Sequence, residues 1–411
     1  MSIRVLKYGG TSVTTPESRE RIAKTAIRHK EEGHDVVVVV SAMGRSGDPY
    51  ATDTLISLFK AQNENYRPRN LDFLMTCGEM ISASLIANTI EKFGASAICM
   101  TGQQAGLITD DHFGDARVIR VEKEKMLRPL EDGKIIVLTG FQGVTETGWL
   151  TTLGRGGSDT TAAIVGVALD ADSIEIFTDV DGIMTADPRI VGEARVLNAI
   201  SYEECYQLAL DGAKVVDHKA IDVVKRAGKT LIVRNTFNDA PGTVIGPESV
   251  IAKLGIEDDR DLITAITSKT GLVQVTVNMS LTSPENQIFL ESLEQNKVSI
   301  DMINFFEDRK VFTIQTAKLP AVLEVLERLN LEHKFAQGCA KLTLVGHKIH
   351  GIPGVMRRIV MSLSKAGVEI LQTSDSYTTI ACLVHVEEVG KALNALHAEF
   401  GLSRDPEQPN D

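Results

Sequence analysis

The run Val36-Val-Val-Val-Val40 leaves little freedom to a fold. Five consecutive valines have no polar side to turn to water, and β-branched side chains disfavour a helix, so the segment has to be a strand covered on both faces. Such strands occur in parallel sheets clothed by helices, and the surrounding pattern agrees. Short apolar runs at Ile3 to Leu6, Ala95 to Met100, Ile135 to Leu138, Ser173 to Phe177 and Thr230 to Val233 alternate with helical periods at Glu17 to Glu32, Ile81 to Phe93, Ala116 to Leu130, Thr160 to Leu169 and Gly212 to Ala227. This is an α/β region around an open, mainly parallel sheet. The turn-rich segment from Asn238 to Pro247 closes it and places a boundary near residue 245.

Residues 262 to 402 have another rhythm. At an offset of 70, Phe289, Leu293, Val298 and Ile300 fall on Ile359, Leu363, Val368 and Ile370, each at a matching apolar position. Internal repetition of this length predicts two small ferredoxin-like βαββαβ modules, over 246–335 and 336–411. The leading strand of the first is a candidate for sharing with the second, and the polar tail from Ser403 to Asp411 is expected to be disordered.

Composition removes several classes of function. The 411 residues carry 43 Lys plus Arg against 55 Asp plus Glu, a net charge of -12, which disfavours nucleic acid and anionic membranes as partners. No uninterrupted apolar run approaches the roughly 18 residues of a membrane helix, and the N-terminus meets Gly9 and Gly10 before it can build a signal core. Five scattered cysteines without C-x-x-C spacing fit a reduced, cytoplasmic, soluble protein. Nine histidines show no metal spacing.

The chemistry is carried by glycine-rich turns after strands. Lys7-Tyr-Gly-Gly-Thr-Ser-Val13 offers backbone amides and a lysine to an anion. Leu153-Gly-Arg-Gly-Gly-Ser-Asp159 runs into a helix that Ser158 or Asp159 would cap, with Arg155 free to clamp a carboxylate. Thr178-Asp-Val-Asp-Gly-Ile-Met-Thr-Ala-Asp-Pro-Arg189 gathers carboxylates suited to a phosphate-bound Mg²⁺ or to ordinary turns. Glu79 stands at an expected helix start, where the helix dipole alone favours a carboxylate.

These segments, with Val40-Ser-Ala-Met-Gly, Cys77-Gly-Glu, Gly140-Phe-Gln-Gly, Phe177-Thr-Asp-Val-Asp-Gly and Gly212-Ala-Lys-Val, resemble in order and over nearly the whole chain the aspartate kinase family. The resemblance implies an amino-acid-kinase fold, two ACT modules, and transfer of the γ-phosphoryl group of ATP to the side chain of L-aspartate. An aspartate carboxylate, with a pKa near ~3.9, is already ionised at neutral pH, so no catalytic base is required.

By resemblance, Lys7 and Lys214 would neutralise the transferring group and Asp159 would orient them. Ser41, Thr52, Glu79, Phe141, Arg155, Gly156, Gly157 and Ser158 would form the aspartate site, with Glu79 on the ammonium and Arg155 on a carboxylate. Tyr8, Gly9, Gly10, Thr178, Asp179, Asp181, Met184, Asp187 and Arg189, with Lys7 and Lys214, would hold ATP. Mg²⁺ would arrive on the phosphates without direct protein ligation, and no tightly bound prosthetic group is implied. Asp301, Met302, Ile303, Gly354, Gln372, Ser374 and Asp375 are the candidate contacts of an amino-acid effector, and pairing of the modules implies a homo-oligomer.

Two departures from the family pattern stand out: Asp217-His218 follows Gly-Ala-Lys-Val-Val, and the first module lacks a glycine turn where the second has Gly351-Ile-Pro-Gly354. An acceptor other than aspartate, such as glutamate, and an amino-acid sensor with a decayed kinase half are the competing readings.

Overall fold

The computed structural model describes residues 2–213, 215–253, 262–280, 282–347, 349 and 351–403. The polar tail beyond Ser403, Leu281 of the first module turn, and Lys214 lie outside the described residues. The chain divides into two units. One comprises Met1–Ile183, Val196–Ala209 and Lys214–Glu257, the other Met184–Arg195, Leu210–Ala213 and Asp258–Asp411.

The first unit is built on an eight-stranded sheet, in the spatial order Ala199–Ser201, Thr243–Gly246, Leu231–Asn235, Ser173–Thr178, Ile3–Tyr8, Asp35–Val40, Ile135–Thr139, Ala97–Met100. All neighbours are parallel except Leu231–Asn235 against Thr243–Gly246. The five valines are central and fully buried, as a doubly covered strand requires. On one face Leu6, Tyr8, Val36, Val38 and Val40 pack against Ile22, Ala23 and Ala26 of helix Pro16–Glu31 and Ala83, Ile86 and Ile90 of helix Pro68–Lys92. Helix Gly157–Ala168 contacts strands Ile3–Tyr8, Asp35–Val40 and Ser173–Thr178.

Several expectations need correction. The turn-rich segment after Asn238 contains the strand Thr243–Gly246, which belongs to the eight-stranded sheet. Residues 116–130 do not form one helix: Val118–Val121 is a strand, and only Glu124–Glu131 is helical. That strand belongs to a second, four-stranded sheet with Leu107–Thr109, Gln142–Thr145 and Leu150–Thr152. The segment from Gly212 is helical only over His218–Ala227. Helix Pro68–Lys92 begins far before Ile81. It is also long and apolar enough on average to cross a membrane, which a search for uninterrupted runs misses, but half of its most apolar stretch is buried inside this protein, as in a core helix.

In the second unit six strands form one sheet, ordered Asp301–Phe305, Arg309–Gln315, Ala265–Asn278, His333–Val345, Thr379–His385, Gln372–Asp375. Two long central strands serve both repeats. Residues 272–278 pair with Arg309–Gln315, while 265–269 pair with 341–345. The repeat positions face two separate cores: Phe289, Leu293 and Val298 in one, Ile359, Leu363 and Val368 in the other. Ile300 and Ile370 pack at the margins of those cores.

Candidate active site

In an open parallel sheet the loops leaving the carboxyl ends of the strands converge on a crevice. Here those loops are Gly9–Val13, 41–44, 140–141 and 178–183. Lys7, at the end of its strand, points away from Tyr8 and places its Nζ 2.6 Å from Asp159 Oδ1. Asp159 Oδ2 accepts the Asp217 N–H at 3.1 Å. Ser158 and Asp159 do not cap their helix, contrary to expectation: it starts at Gly157, and Gly156, with φ 71°, stands before it. Asp159 is thereby inside the first turn, its side chain free to hold Lys7.

Gly10 is required by contact. A Cβ there would lie 2.6 Å from the Ala42 carbonyl oxygen and 2.9 Å from that of Gly44. On the other side of Ala42, its N–H donates to Glu79 Oε1 at 3.0 Å. Glu79 is not at a helix start. It is the twelfth residue of a 25-residue helix and 2 % exposed. The dipole account therefore fails for it, because macrodipole effects are confined to the terminal turns. Its Oε2 is buried without a hydrogen-bond partner from another of the described residues. Burial pushes its pKa up to about 8, the Ala42 amide opposing.

The glycine loop after Leu153 is also set by contact. A Cβ on Gly156 would overlap the Asp217 carboxylate, which itself accepts the Lys219 N–H at 2.9 Å and caps helix His218–Ala227. Burial raises the Asp217 pKa, and the neighbouring Asp159 adds to it. The departure Asp217-His218 thus carries a cap and a neighbour for both Gly156 and Asp159. Lys219, which sequence reasoning missed, donates to the Leu153 carbonyl at 3.2 Å and pairs with Asp115.

Phe141 has φ 70°, rare for an aromatic residue, and its N–H donates to Thr161 Oγ1 at 3.0 Å. Such strain is held only where surroundings enforce it. A Cβ on the adjacent Gly140 would press on Ser158 and on the Val40 carbonyl. The Arg155 side chain is 93 % exposed, 3.8 Å from Asp53 Oδ1, beside Thr52 in the first turn of helix Thr52–Lys60. The Ser41 N–H donates to the Tyr8 carbonyl at 3.2 Å, holding this loop beside the first strand.

At the end of strand Ser173–Thr178, Asp179 pairs with Arg45 at 2.9 Å, another residue that the sequence did not single out. Asp181 accepts from Asn238 at 2.7 Å and Asn235 at 2.6 Å, and these bonds lower its pKa, Asn238 most. Both carboxylates hold loops in place. Met184, Asp187 and Arg189 fall in the second unit, where Arg189 donates to Asp187 at 2.7 and 2.9 Å.

In the second unit, the effector candidates from the two repeats meet. Gln372 Nε2 donates to the Met302 carbonyl and to Asn304 Oδ1, each at 2.6 Å, while Gln274 donates to Gln372 Oε1 at 3.1 Å. Met302 has φ 33°, and its N–H bonds to Asp301 Oδ1 at 3.0 Å. Ile303 is exposed beside them. A cleft of about 1060 Å³ is bordered by Gln274, Asn304, Arg309, His333 and Gln372. Ser374 and Asp375 continue the strand from Gln372. Gly354, with φ 93°, opens helix Val355–Lys365.

A buried ion triad escaped sequence reasoning. Lys341, 6 % exposed, lies 2.6 Å from Asp211 and 2.8 Å from Asp301. Burial alone would depress its pKa, but hydrogen bonds to Asp211 and Asp301 hold it above the ordinary value. Lys341→Met should leave two carboxylates facing each other without a cation and destabilise the second unit by about 3 kcal/mol. A thermal melt of the variant checks this, and an unchanged midpoint would show that the triad contributes nothing.

Comparison with known proteins agrees with this arrangement. The amino acid kinase family profile matches residues 2–235, and an ACT domain profile matches 334–398. The chain is 39 % identical over 410 residues to Aspartokinase 1 of Bacillus subtilis, covering 98 % of this chain and all of that protein. In fold it is similar to E. coli aspartokinase III, solved in complex with aspartate and ADP (TM-score 0.78, 24 % identity) and with lysine and aspartate (TM-score 0.74, 23 % identity). Each of these two covers 97 % of this chain and the whole of the solved one. The glycine-lined cleft, the paired regulatory modules and these full-length matches lead to one conclusion: the chain belongs to the aspartokinase family, phosphotransferases that join an amino acid kinase domain to ACT modules.

Proposed function

We propose that the protein transfers the γ-phosphoryl group of ATP to the side-chain carboxylate of L-aspartate, giving ADP and 4-phospho-L-aspartate. The observation that carries this reading is the position of Ala42. Its carbonyl borders Gly10 of the phosphate loop and its amide holds Glu79, so a buried carboxylate with no cation on it among the described residues lies one residue from the anion site. An amino-acid ammonium supplies that cation, and the substrate's side chain is then directed at the phosphates. The solved aspartokinase III with aspartate and ADP supports the same pair of ligands.

Phosphoryl transfer of this type needs positioning and charge neutralisation rather than a base. Lys7, oriented by Asp159, takes charge from the transferring group, and Lys214 is proposed to share this role. Amides of Gly9 and Gly10 receive phosphate oxygens. Arg155, with Ser41, Thr52, Phe141 and the 156–158 turn, forms the rest of the acceptor site. Thr178, Asp179 and Asp181 are assigned to the nucleotide, whereas the Tyr8 side chain packs on the other sheet face against helix Pro16–Glu31 and is not part of that site. Mg²⁺ enters on ATP. Asp179 and Asp181 are already engaged by Arg45 and by two asparagines, which suits a metal held chiefly by phosphate oxygens.

The product is the first intermediate towards lysine, threonine, methionine and diaminopimelate, made in the cytoplasm by a homo-oligomer joined through its ACT modules. An end product is assigned to the Asp301–Ile303 and Gln372–Asp375 region, with Gly354 at the second module turn. The lysine complex of aspartokinase III supports an amino acid as effector.

An ADP-release assay with Mg-ATP tests the reading. L-aspartate should support turnover at least tenfold above L-glutamate, because a pocket closed around the shorter acid excludes an added methylene by about 1–3 kcal/mol. Lysine, threonine and meso-diaminopimelate, singly and in pairs, are added to identify the inhibitor. Equal turnover with both acceptors would shift the assignment to a broader amino-acid kinase, and folded protein without acceptor-dependent turnover would favour a sensor.

A further inference from the structure

The first unit contains a polar cavity on the sheet face opposite to Lys7. It measures about 210 Å³ and lies between helix Pro16–Glu31 and strands Ile3–Tyr8, Ser173–Thr178 and Leu231–Asn235. Four guanidiniums line it: Arg4 and Arg234 from the sheet, Arg21 and Arg28 from the helix. Two carboxylates oppose them. Glu175 takes Arg4 at 3.3 Å and Arg234 at 2.7 Å, and the exposed Asp239 takes Arg21 at 3.1 Å. On a chain of net charge -12, this wall keeps an excess of positive charge, and Arg28 contributes an exposed guanidinium that forms no ion pair within 4 Å among the described residues, with Glu32 one turn further along its helix.

Two buried donors make the cavity more than a basic patch. Among the described residues the Tyr8 hydroxyl, on a residue 2 % exposed, has no hydrogen-bond partner of normal geometry, and Thr25 gives it only a weaker side-chain contact. Arg4 Nε is likewise buried and without an acceptor among the described residues. Burying such groups unsatisfied is costly, and a bound oxygen acceptor removes the cost. Stacking on Phe177, with ring centroids 4.6 Å apart, holds the Tyr8 ring in this orientation. Burial, with Glu175 near, keeps the phenol protonated and a donor across the physiological range.

We propose that this cavity binds a small phosphate-class dianion, either free phosphate or the phosphate group of a small metabolite. The excess charge matches a dianion, and the donors come from different elements around a concave wall. A tetrahedral anion can meet them together, whereas a planar carboxylate is served by one guanidinium fork. The site is separate from the Lys7–Asp159 pair and does not depend on which acceptor the enzyme phosphorylates.

Titration calorimetry with inorganic phosphate and with glycerol phosphate, at constant ionic strength, tests it. Wild type should show saturable binding. Arg28→Ala, at an exposed position, should weaken it about tenfold or more, and Tyr8→Phe by several-fold. Lys7→Ala should leave it intact, since that residue serves the other face. A tighter response to the ester assigns a metabolite, and an equal one assigns free phosphate. Absence of binding in wild type overturns the proposal. So does binding that survives in Arg28→Ala and disappears in Lys7→Ala, because it then belongs to the nucleotide site.

Discussion

Glu79→Gln is expected to raise the KM for aspartate about 10- to 100-fold while making the folded protein more stable above pH 8. The first effect follows from removing the charge proposed to meet the substrate ammonium, since a charged hydrogen bond in a buried site contributes about 1.5–3 kcal/mol. The second follows from linkage. The folded-state pKa of Glu79 stands at about 8, above its ordinary 4.5, so the native state holds a proton that the unfolded chain has released. Its contribution to stability is complete below pH 4.5 and is lost as pH rises through about 8. Glutamine stays neutral, so the variant escapes that loss, and the gap in melting temperature should widen over this interval. Bound aspartate favours the ionised form, so the wild-type KM should fall as pH rises towards 8, a trend that Glu79→Gln should lack. Parallel pH profiles of KM in the two proteins would remove Glu79 from the substrate site.

Lys7→Ala should lower kcat by about 10³-fold and leave a folded enzyme. A preorganised charge at the developing transition state contributes on the order of 10²–10³ in rate, and Lys7 sits at the strand end, outside the apolar core. Its loss removes the partner of Asp159 Oδ1, while Oδ2 keeps the Asp217 amide, so the cost in stability should stay within about 1–3 kcal/mol. Circular dichroism and a thermal melt establish the fold, and single-turnover kinetics isolate the chemical step. Near-normal turnover in folded protein would place the neutralising charge elsewhere.

Much of the scaffold was legible in the chain. The central strands carry their own evidence, because a continuous β-branched run fits only a doubly covered position. The glycine turns were legible too, and structure supplied their reasons: Gly10 against Ala42 and Gly44, Gly156 against Asp217. The repeat at an offset of 70 emerged as two cores on one sheet.

What stayed hidden was hidden by polarity or by distance along the chain. Helix Pro68–Lys92 buries Asp72, Thr76, Glu79 and Ser82 together with its apolar residues, so no clean apolar stripe marks its first half, and Glu79 was misplaced at its start. Asp72 has its reason in the fold alone, accepting from Gly114 and Thr152 at 2.9 Å. The four-stranded second sheet is made of strands of three or four residues, too short to show a period.

The sequence by itself determined the α/β class, the repeated modules and the order of the glycine loops, with Lys7 at the first of them. These depend on local rules: side-chain shape, periodicity of two or 3.6, and the freedom of glycine. Only the tertiary structure decided that Glu79 is buried with no cation among the described residues, that Lys341 joins Asp211 to Asp301, and that Tyr8 faces a basic cavity on the sheet face away from Lys7. Burial and pairing depend on residues brought together from distant parts of the chain, and it is their desolvation, absent from any local pattern, that turns ordinary side chains into sites.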